Sequence, residues 1–456
     1  MKVTDTYLAE ITDFGTDGKG VAKIDGTPVF VPYAAKGDLC KIKITEVKKS
    51  FAEARIVKII RPSGIRSSAP CYKYGECGGC VLQHVSFAAE NQLKREVLIN
   101  TLRKAGVECS VGDTVSGNEY GYRNKLQMPF TEYGGKIRTG FFRRGTHDAV
   151  PLDRCILHGE WAAELIKTVE LWANDNAIRD KLSVYDEKSG KGLLRHLVAR
   201  YEAGFLFVTV VINGKALPNA RNLYGLISEK FECALYLNEN TDNTNVIMGK
   251  RIKLLYGKER ELGIRGIKTR LSPLSFLQVN DEIRDKLYED ALKKTSDADT
   301  IIDVYSGIGI FTAMLAKEHK NSTVYGVEIV KEAVFDADRL MLKNGLSDRV
   351  KNYCGDAAKI LPELVNGILN NNNNVNVKPE ICITLDPPRK GCDKSVLDAV
   401  MRAEPDRAIY VSCNPATLAR DLKILSEKFR IVGVTPYNMF PRTAELETLC
   451  ELEFVK

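Results

Sequence analysis

Two groups of residues stand out by type and spacing, and the first lies in the last third of the chain. Asp386-Pro387-Pro388-Arg389-Lys390-Gly391 follows an apolar run. Consecutive prolines fix φ at two positions, so the Asp386 carboxylate sits on a stiff loop. Ser412-Cys413-Asn414-Pro415 follows a second apolar run. A thiol at a strand end, just before a helix, is expected to be shifted toward thiolate and to act as a nucleophile. Phe440–Thr448 adds Glu445 and Glu447 as carboxylate bases, and strand alternation would set both on one face. Read singly, Cys413 is also a small apolar strand-end residue, and the acids are also surface groups. Together, a thiol and a carboxylate suit addition to an electron-poor ring. A thiolate adds to C6 of a uracil, C5 becomes nucleophilic, and a base then removes the C5 proton so that the thiol leaves.

That chemistry needs an alkyl donor. Ile302-Asp303-Val304-Tyr305-Ser306-Gly307-Ile308-Gly309 reads as a strand, a glycine turn and a helix start, where backbone can approach a ligand closely. Thr312 occupies the place of the third glycine of the dinucleotide fingerprint, which argues against a nicotinamide. The next strands end at Glu328 and Asp356, acids placed for ribose hydroxyls and an adenine amino group. In strand order, Asp303, Glu328 and Asp356 point to S-adenosylmethionine.

The second group is cysteine-rich. The chain has 12 cysteines and no apparent signal peptide, so disulfides are not the default. Cys71, Cys77 and Cys80 crowd a glycine-rich loop, and Cys155 follows later. Four thiolates suit an iron–sulfur cluster or zinc, and spacing alone does not separate the two. A radical S-adenosylmethionine enzyme would carry three cysteines with different gaps. Cys354 and Cys382 read as strand core.

The elements that must hold these groups divide the chain into three. Residues 1–62 carry short strands with turns, expected to form a small oligonucleotide-binding-like barrel. Residues 63–264 read as an α+β domain with the cysteine loop, and helix 86–105 is expected to pack on the third domain. Residues 265–456 alternate strands and helices, the pattern of a doubly wound α/β sheet. Asn370–Asn374 reads as a loop insertion. Gly121–Lys125, Gly140–Arg144 and Leu194–Leu197 interleave aromatic and basic residues, as RNA-contacting strands do. The balance of 66 Lys and Arg against 59 Asp and Glu gives +7, compatible with a polyanionic partner. No run reaches the roughly 18 apolar residues of a membrane span. A cytoplasmic monomer is expected.

Phe276-Leu277-Gln278-Val279-Asn280, Asp303–Gly309, Glu328, Asp386–Arg389, Ser412–Pro415 and Phe440-Pro441 together resemble the RNA (uracil-5-)-methyltransferase family, in its 23S ribosomal RNA 5-methyluridine type. The resemblance implies a Rossmann-like class I methyltransferase domain, preceded by a TRAM barrel and a central α+β domain. It implies Cys413 as nucleophile and Glu447 as base, where many members carry His at the position of Glu445. Gln278, Tyr305, Glu328, Asp356 and Asp386 would line the S-adenosyl-L-methionine site. Cys71, Cys77, Cys80 and Cys155 would hold a 4Fe-4S cluster with a structural or RNA-positioning role. The implied partner is ribosomal RNA, its uridine in a loop or flipped out. Transfer RNA is the nearest alternative substrate, and its relatives generally lack the barrel and the cysteines. A non-catalytic RNA-binding iron–sulfur protein is the reading from another class. An amino-methyltransferase would carry an aromatic residue at Arg389.

Overall fold

The computed structural model describes residues 1–175, 181–371 and 379–455. They fall into two compact units, each built from separate stretches of chain. Met1–Glu90, Asn118–Arg260 and Pro441–Ala444 form one; Asn91–Gly117, Glu261–Phe440 and Glu445–Lys456 form the other. Residues 63–264 therefore contribute to both.

The first unit opens with six strands, β1 (Thr6–Glu10), β2 (Asp13–Phe14), β3 (Gly20–Ile24), β4 (Thr27–Val31), β5 (Leu39–Val47) and β6 (Ala52–Arg61), in the order β1-β5-β6-β4-β3-β2. The edge strands β1 and β2 are separated in the chain only by Ile11 and Thr12. Thr12 N–H donates to Val21 O of β3 at 2.9 Å, so the sheet curls round Ile11, Val29, Val31, Ile42 and Ile44.

Helix α1 (Phe87–Lys104) begins in this unit and continues into the other. A second sheet follows: β7 (Lys125–Tyr133), β8 (Lys136–Phe142), β9 (Ala149–Pro151), β10 (Leu194–Glu202), β11 (Phe205–Ile212), β12 (Cys233–Glu239) and β13 (Arg251–Gly257), in the order β13-β12-β11-β10-β7-β8-β9. Helices α2 (Glu160–Ala173) and α3 (Ala220–Ser228) cover it. Leu165, Ile166, Val169 and Trp172 recur at helical spacing on α2 and enter one core with Leu126, Leu197 and Val208 of the sheet.

The second unit holds a hairpin, β14 (Glu261–Ile264) with β15 (Ile267–Arg270), and then an α/β sheet. The chain runs α4 (Asp281–Lys294), β16 (Thr300–Val304), α5 (Ile310–Glu318), β17 (Thr323–Glu328), α6 (Lys331–Lys343), β18 (Val350–Cys354), α7 (Ala357–Asn371), β19 (Ile381–Leu385), α8 (Lys394–Ala403), β20 (Arg407–Ser412), α9 (Pro415–Leu425), β21 (Phe429–Tyr437) and β22 (Glu447–Phe454). Strand order is β18-β17-β16-β19-β20-β22-β21. The first five are parallel, whereas β22 runs antiparallel between β20 and β21. The sheet is therefore mixed, not wholly parallel as the alternation suggests. Leu98 and Leu102 of α1 enter the core of this unit beside Ile302, Ile383 and Tyr410; each leucine buried this way contributes about 1.5–3 kcal/mol.

Three smaller expectations need comment. Asn370 and Asn371 close α7, and Asn372–Asn374 lie outside the described residues. Cys382 is fully buried in β19, but Cys354 is exposed at the end of β18 and is not strand core. Among the described residues no helix is long and apolar enough to cross a membrane.

Candidate functional site

The carboxyl ends of β16, β17, β18, β19 and β20 lie along one edge of the α/β sheet, where such folds bind ligands. After β16, Tyr305 adopts a left-handed φ of 68°, and its N–H and that of Ser306 donate to Val327 O at 2.8 and 3.1 Å. Glu328 then binds the glycine turn: its Oε2 accepts from Gly307 N–H at 3.0 Å and its Oε1 from Val330 N–H at 2.8 Å. Gly309 has a φ of 80°, and a Cβ there would lie 2.9 Å from the Ala337 Cβ of α6, so the close packing of α5 on α6 needs glycine at this position. Thr312 has a task the sequence does not reveal. Its hydroxyl donates to Asp303 Oδ2 at 2.6 Å, and Thr384 donates to Asp303 Oδ1 at 2.7 Å. Burial pushes the Asp303 carboxyl up to about 6 against those two donors. Asp356 is exposed before α7, its Oδ1 accepting from Ala358 N–H at 3.0 Å.

A pocket opens at this edge, lined by Leu277, Tyr288, Asp303, Tyr305 and Asp386, with Phe276 71% exposed at its rim. Gln278 is buried next to Leu277, two residues before Asn280, which caps α4 by accepting from Ile283 N–H at 3.3 Å. Among the predicted cofactor residues, Tyr305 and Asp386 line this pocket, and Glu328 and Asp356 end the neighbouring strands.

Asp386 follows β19, its N–H donating to Val304 O at 3.3 Å. The loop after it is pinned to the start of α9: Asn414 Nδ2 and Thr417 Oγ1 donate to Arg389 O at 3.1 and 3.3 Å, and Arg420 donates to Lys390 O and Cys392 O. Cys413 stands between β20 and α9, so these bonds fix it relative to Asp386. Asn414 caps α9, accepting from Ala416 N–H at 3.0 Å. Pairing of Ser412 with Thr448 brings the first residue of β22, Glu447, to the same place.

The electrostatics correct one expectation. The Cys413 thiol is not lowered by the helix start but pushed up to about 11, first by burial and then by Glu447 and Asp386, with Arg389 pulling the other way. Glu447 is 2% exposed, and its carboxyl is pushed well above the usual range by burial, Asp386 and Glu445. Asp386 opens to the surface yet is crowded by surrounding protein; that crowding, with the Asp303 charge, pushes it up to about 7. Glu445 does not share a strand face with Glu447. It lies before β22, is exposed, and accepts from Arg389 at 3.2 Å. Strand alternation fails there because Glu447, Thr448, Leu449 and Cys450 are all buried.

The second group gathers in the first unit. Cys71, Cys77, Cys80 and Cys155 line one cavity with Phe141, His158 and His196. Burial pushes the Cys80 and Cys155 thiols up to about 12 and about 11, and each is raised further by neighbouring cysteines of the set. Gly78 lets the loop approach β8: its N–H donates to Phe142 O at 2.9 Å, and a Cβ would meet backbone at 2.8 Å. Among the described residues, no group of three or more His, Cys, Asp or Glu side chains is set to hold a single metal ion. The basic stretches around the cavity are not all surface patches. Tyr122 and Asn124 are buried, and burial pushes Lys125 down to about 8. Arg195 and His196 are buried as well. Arg143 and Arg144 are exposed.

Residues 251–454 match the family model for tRNA (uracil-5-)-methyltransferase, and residues 2–57 match the TRAM domain. An RNA methyltransferase of Halalkalibacterium halodurans, named as uncharacterized, is 38% identical, with 98% of this chain and 97% of that protein covered. One from Caldanaerobacter subterraneus subsp. tengcongensis is 37% identical, with 99% of each covered. Among solved structures, the tRNA (uracil-54, C5)-methyltransferase of Pyrococcus abyssi in complex with S-adenosyl-L-homocysteine aligns with a TM-score of 0.75 at 26% identity, covering 98% of this chain and 100% of that one.

Proposed function

Because the chain belongs to the RNA (uracil-5-)-methyltransferase family, we propose that it methylates C5 of a uridine in 23S ribosomal RNA through a covalent bond from Cys413 to C6. The observation that carries this reading is the meeting of a thiol and two carboxylates, Cys413, Asp386 and Glu447, beside a pocket at the ligand-binding edge of the sheet. S-adenosyl-L-methionine supplies an electrophilic methyl group on a positively charged sulfur. The residues present suit it: Asp386 and Asp303 line the pocket, and Glu328 and Asp356 close the adjoining strands.

In the proposed reaction the Cys413 thiol loses its proton to a neighbouring carboxylate as RNA docks. Its sulfur bonds to C6, and the electrons of the C5–C6 double bond move toward O4. C5 then takes the methyl group as its bond to the sulfonium sulfur breaks and leaves S-adenosylhomocysteine, and Glu447 removes the C5 proton. The double bond re-forms and the sulfur–C6 bond breaks, which frees Cys413. Burial, Asp386 and Glu445 raise the Glu447 carboxyl above the ordinary carboxylate range, which makes its ionised form a stronger base.

We assign Cys71, Cys77, Cys80 and Cys155 to a 4Fe-4S cluster that shapes the RNA-facing part of the first unit. Support comes from four half-buried thiols that line one cavity, thiolate being the ligand that iron–sulfur clusters take. Visible absorbance after anaerobic purification tests it, and a colourless protein containing zinc contradicts it. The chain works in the cytoplasm as a monomer.

Transfer RNA is the second reading, favoured by the Pyrococcus abyssi enzyme, which covers nearly the whole chain. The three-part architecture therefore does not by itself separate the two substrates. Mass-spectrometric mapping of 5-methyluridine in RNA from cells with and without the gene decides between them. Loss at a ribosomal position is expected, and loss confined to transfer RNA overturns the substrate.

A further inference from the structure

The four residues Pro441–Ala444 belong to the first unit, although the chain on either side belongs to the second. Arg442 is what seats them. It is 2% exposed and has a left-handed φ of 69°, a conformation that costs an arginine of order 1–3 kcal/mol and persists only where surroundings enforce it. The surroundings do so through its backbone N–H and carbonyl and through both terminal guanidinium nitrogens. Its N–H donates to Glu90 Oε1 at 2.9 Å. Its carbonyl accepts from Val81 and Leu82 N–H at 2.9 and 3.1 Å. Its guanidinium donates to Leu82 O at 3.3 Å, to Val85 O at 2.8 Å and to Glu119. The Phe87 and Tyr120 rings lie 5.4 and 5.3 Å from the guanidinium carbon, within cation–π range. Tyr122 OH donates to Pro441 O at 2.9 Å, and Gly18 leaves room for Ala444, whose Cβ would lie 3.3 Å from a side chain there.

Val81 and Leu82 directly follow Cys80. Five residues after Arg442 the chain reaches Glu447, the first residue of β22. Glu445 and Leu446 lie outside the strand, so Glu447 stands at the strand end, paired with Tyr437 in the ladder and following this lead-in in the chain. Before the lead-in, Lys94 Nζ donates to Asn438 Oδ1 at 2.7 Å and Phe440 O at 3.1 Å.

We propose that Arg442 is a positioning residue for the Glu447 carboxylate, acting by locking Pro441–Ala444 onto the Val81–Val85 loop. The proposal rests on Glu447 being the base that removes the C5 proton. Loosening the lock then slows the last step, not the methyl transfer, so enzyme stalls as a methylated covalent complex with RNA. A displacement of the base by about 1 Å costs up to roughly 100-fold in rate.

The test uses the full-length holoenzyme, S-adenosylmethionine labelled in its methyl group, and unmodified 23S ribosomal RNA with transfer RNA in parallel. Protein-bound label that survives denaturation is measured together with turnover. Arg442→Met is expected to lose turnover by about 10- to 100-fold, with KM for S-adenosylmethionine falling in parallel so that kcat/KM holds, and to accumulate labelled complex. Arg442→Lys keeps a charge opposite Glu90 but lacks the guanidinium fork, so it guards against a folding failure; it is expected to show the same complex at a lower level. Wild-type turnover in both variants, or lost turnover without labelled complex, overturns the proposal. Glu447→Gln is the control: if it traps labelled complex while the Arg442 variants do not, only the positioning role fails. If Glu447→Gln traps none, the base assignment fails and the proposal falls with it.

Discussion

The edge of the α/β sheet and the cysteine cavity both crowd acidic groups together and raise them, but with different partners. At the sheet edge burial and the Asp303 charge raise Asp386, burial, Asp386 and Glu445 raise Glu447, and Glu447 and Asp386 both raise Cys413. In the cavity burial dominates, the cysteines add to one another, and His158 and His196 are pushed down to about 3 and about 4, so they add no positive charge. The first region is tuned by partners with separate proposed roles, so replacing one retunes the others. The second is a set of like groups, which would ionise together on taking up the proposed cluster. Single substitutions should therefore have graded, distinguishable effects at the edge and a common effect in the cavity.

The largest effect is expected from Cys413→Ala. Removing a nucleophile costs on the order of 10⁴-fold or more, so 5-methyluridine formation should vanish in a methyl-transfer assay while S-adenosylhomocysteine affinity holds. Retained methylation would break the comparison at its root. Next, Cys155→Ser should abolish visible absorbance as completely as Cys71→Ser, Cys77→Ser or Cys80→Ser, again with unchanged S-adenosylhomocysteine affinity by calorimetry. Absorbance that survives one of these changes would remove that residue from the set.

Asp386→Asn sharpens the electrostatic half. Deleting one of the two carboxylates that raise Cys413 lowers its thiol, so alkylation of Cys413 at a fixed alkaline pH should quicken several-fold. The same change acts on stability. A carboxyl whose pKa rises from about 4 unfolded to about 7 folded favours the fold below pH 4 and loses that favour as pH climbs through 7. Asp386→Asn escapes the loss, so its Tm should exceed the wild type above pH 7, with the difference vanishing near pH 4. The smallest effect belongs to Thr312→Val, which strips one of two donors from buried Asp303. The expected cost is about 1–3 kcal/mol, seen as a lower Tm with catalysis little changed.

Much of the α/β unit is legible from sequence, because fully buried parallel strands read as short apolar runs bounded by glycine or proline. Thr300–Val304 and Ile381–Leu385 are of this kind, each buried along its whole length. The motifs Asp386–Gly391 and Ser412–Pro415 are legible because their chemistry and spacing are unusual. The antiparallel insertion of β22 is not, since a strand buried on both faces shows no alternation and its place in the sheet depends on long-range pairing. Burial of Arg195, His196 and Tyr122 is hidden for a related reason: a basic or aromatic residue on a strand has the same letter whether it faces solvent or core. The sequence points to a lowered Cys413 thiol because the helix start is local and visible, while Glu447 and Asp386 come from distant positions. Arg442 was invisible in its role, as nothing in Phe440–Thr448 announces that four residues leave one unit for the other.

The central claim, a covalent Cys413–C6 bond, is tested most directly with RNA carrying 5-fluorouridine, whose C5 fluorine a base cannot remove as a proton. Incubation with S-adenosylmethionine is predicted to give a denaturation-resistant protein–RNA species whose modified peptide contains Cys413. The absence of such a species, or its attachment at any other residue, would contradict the account.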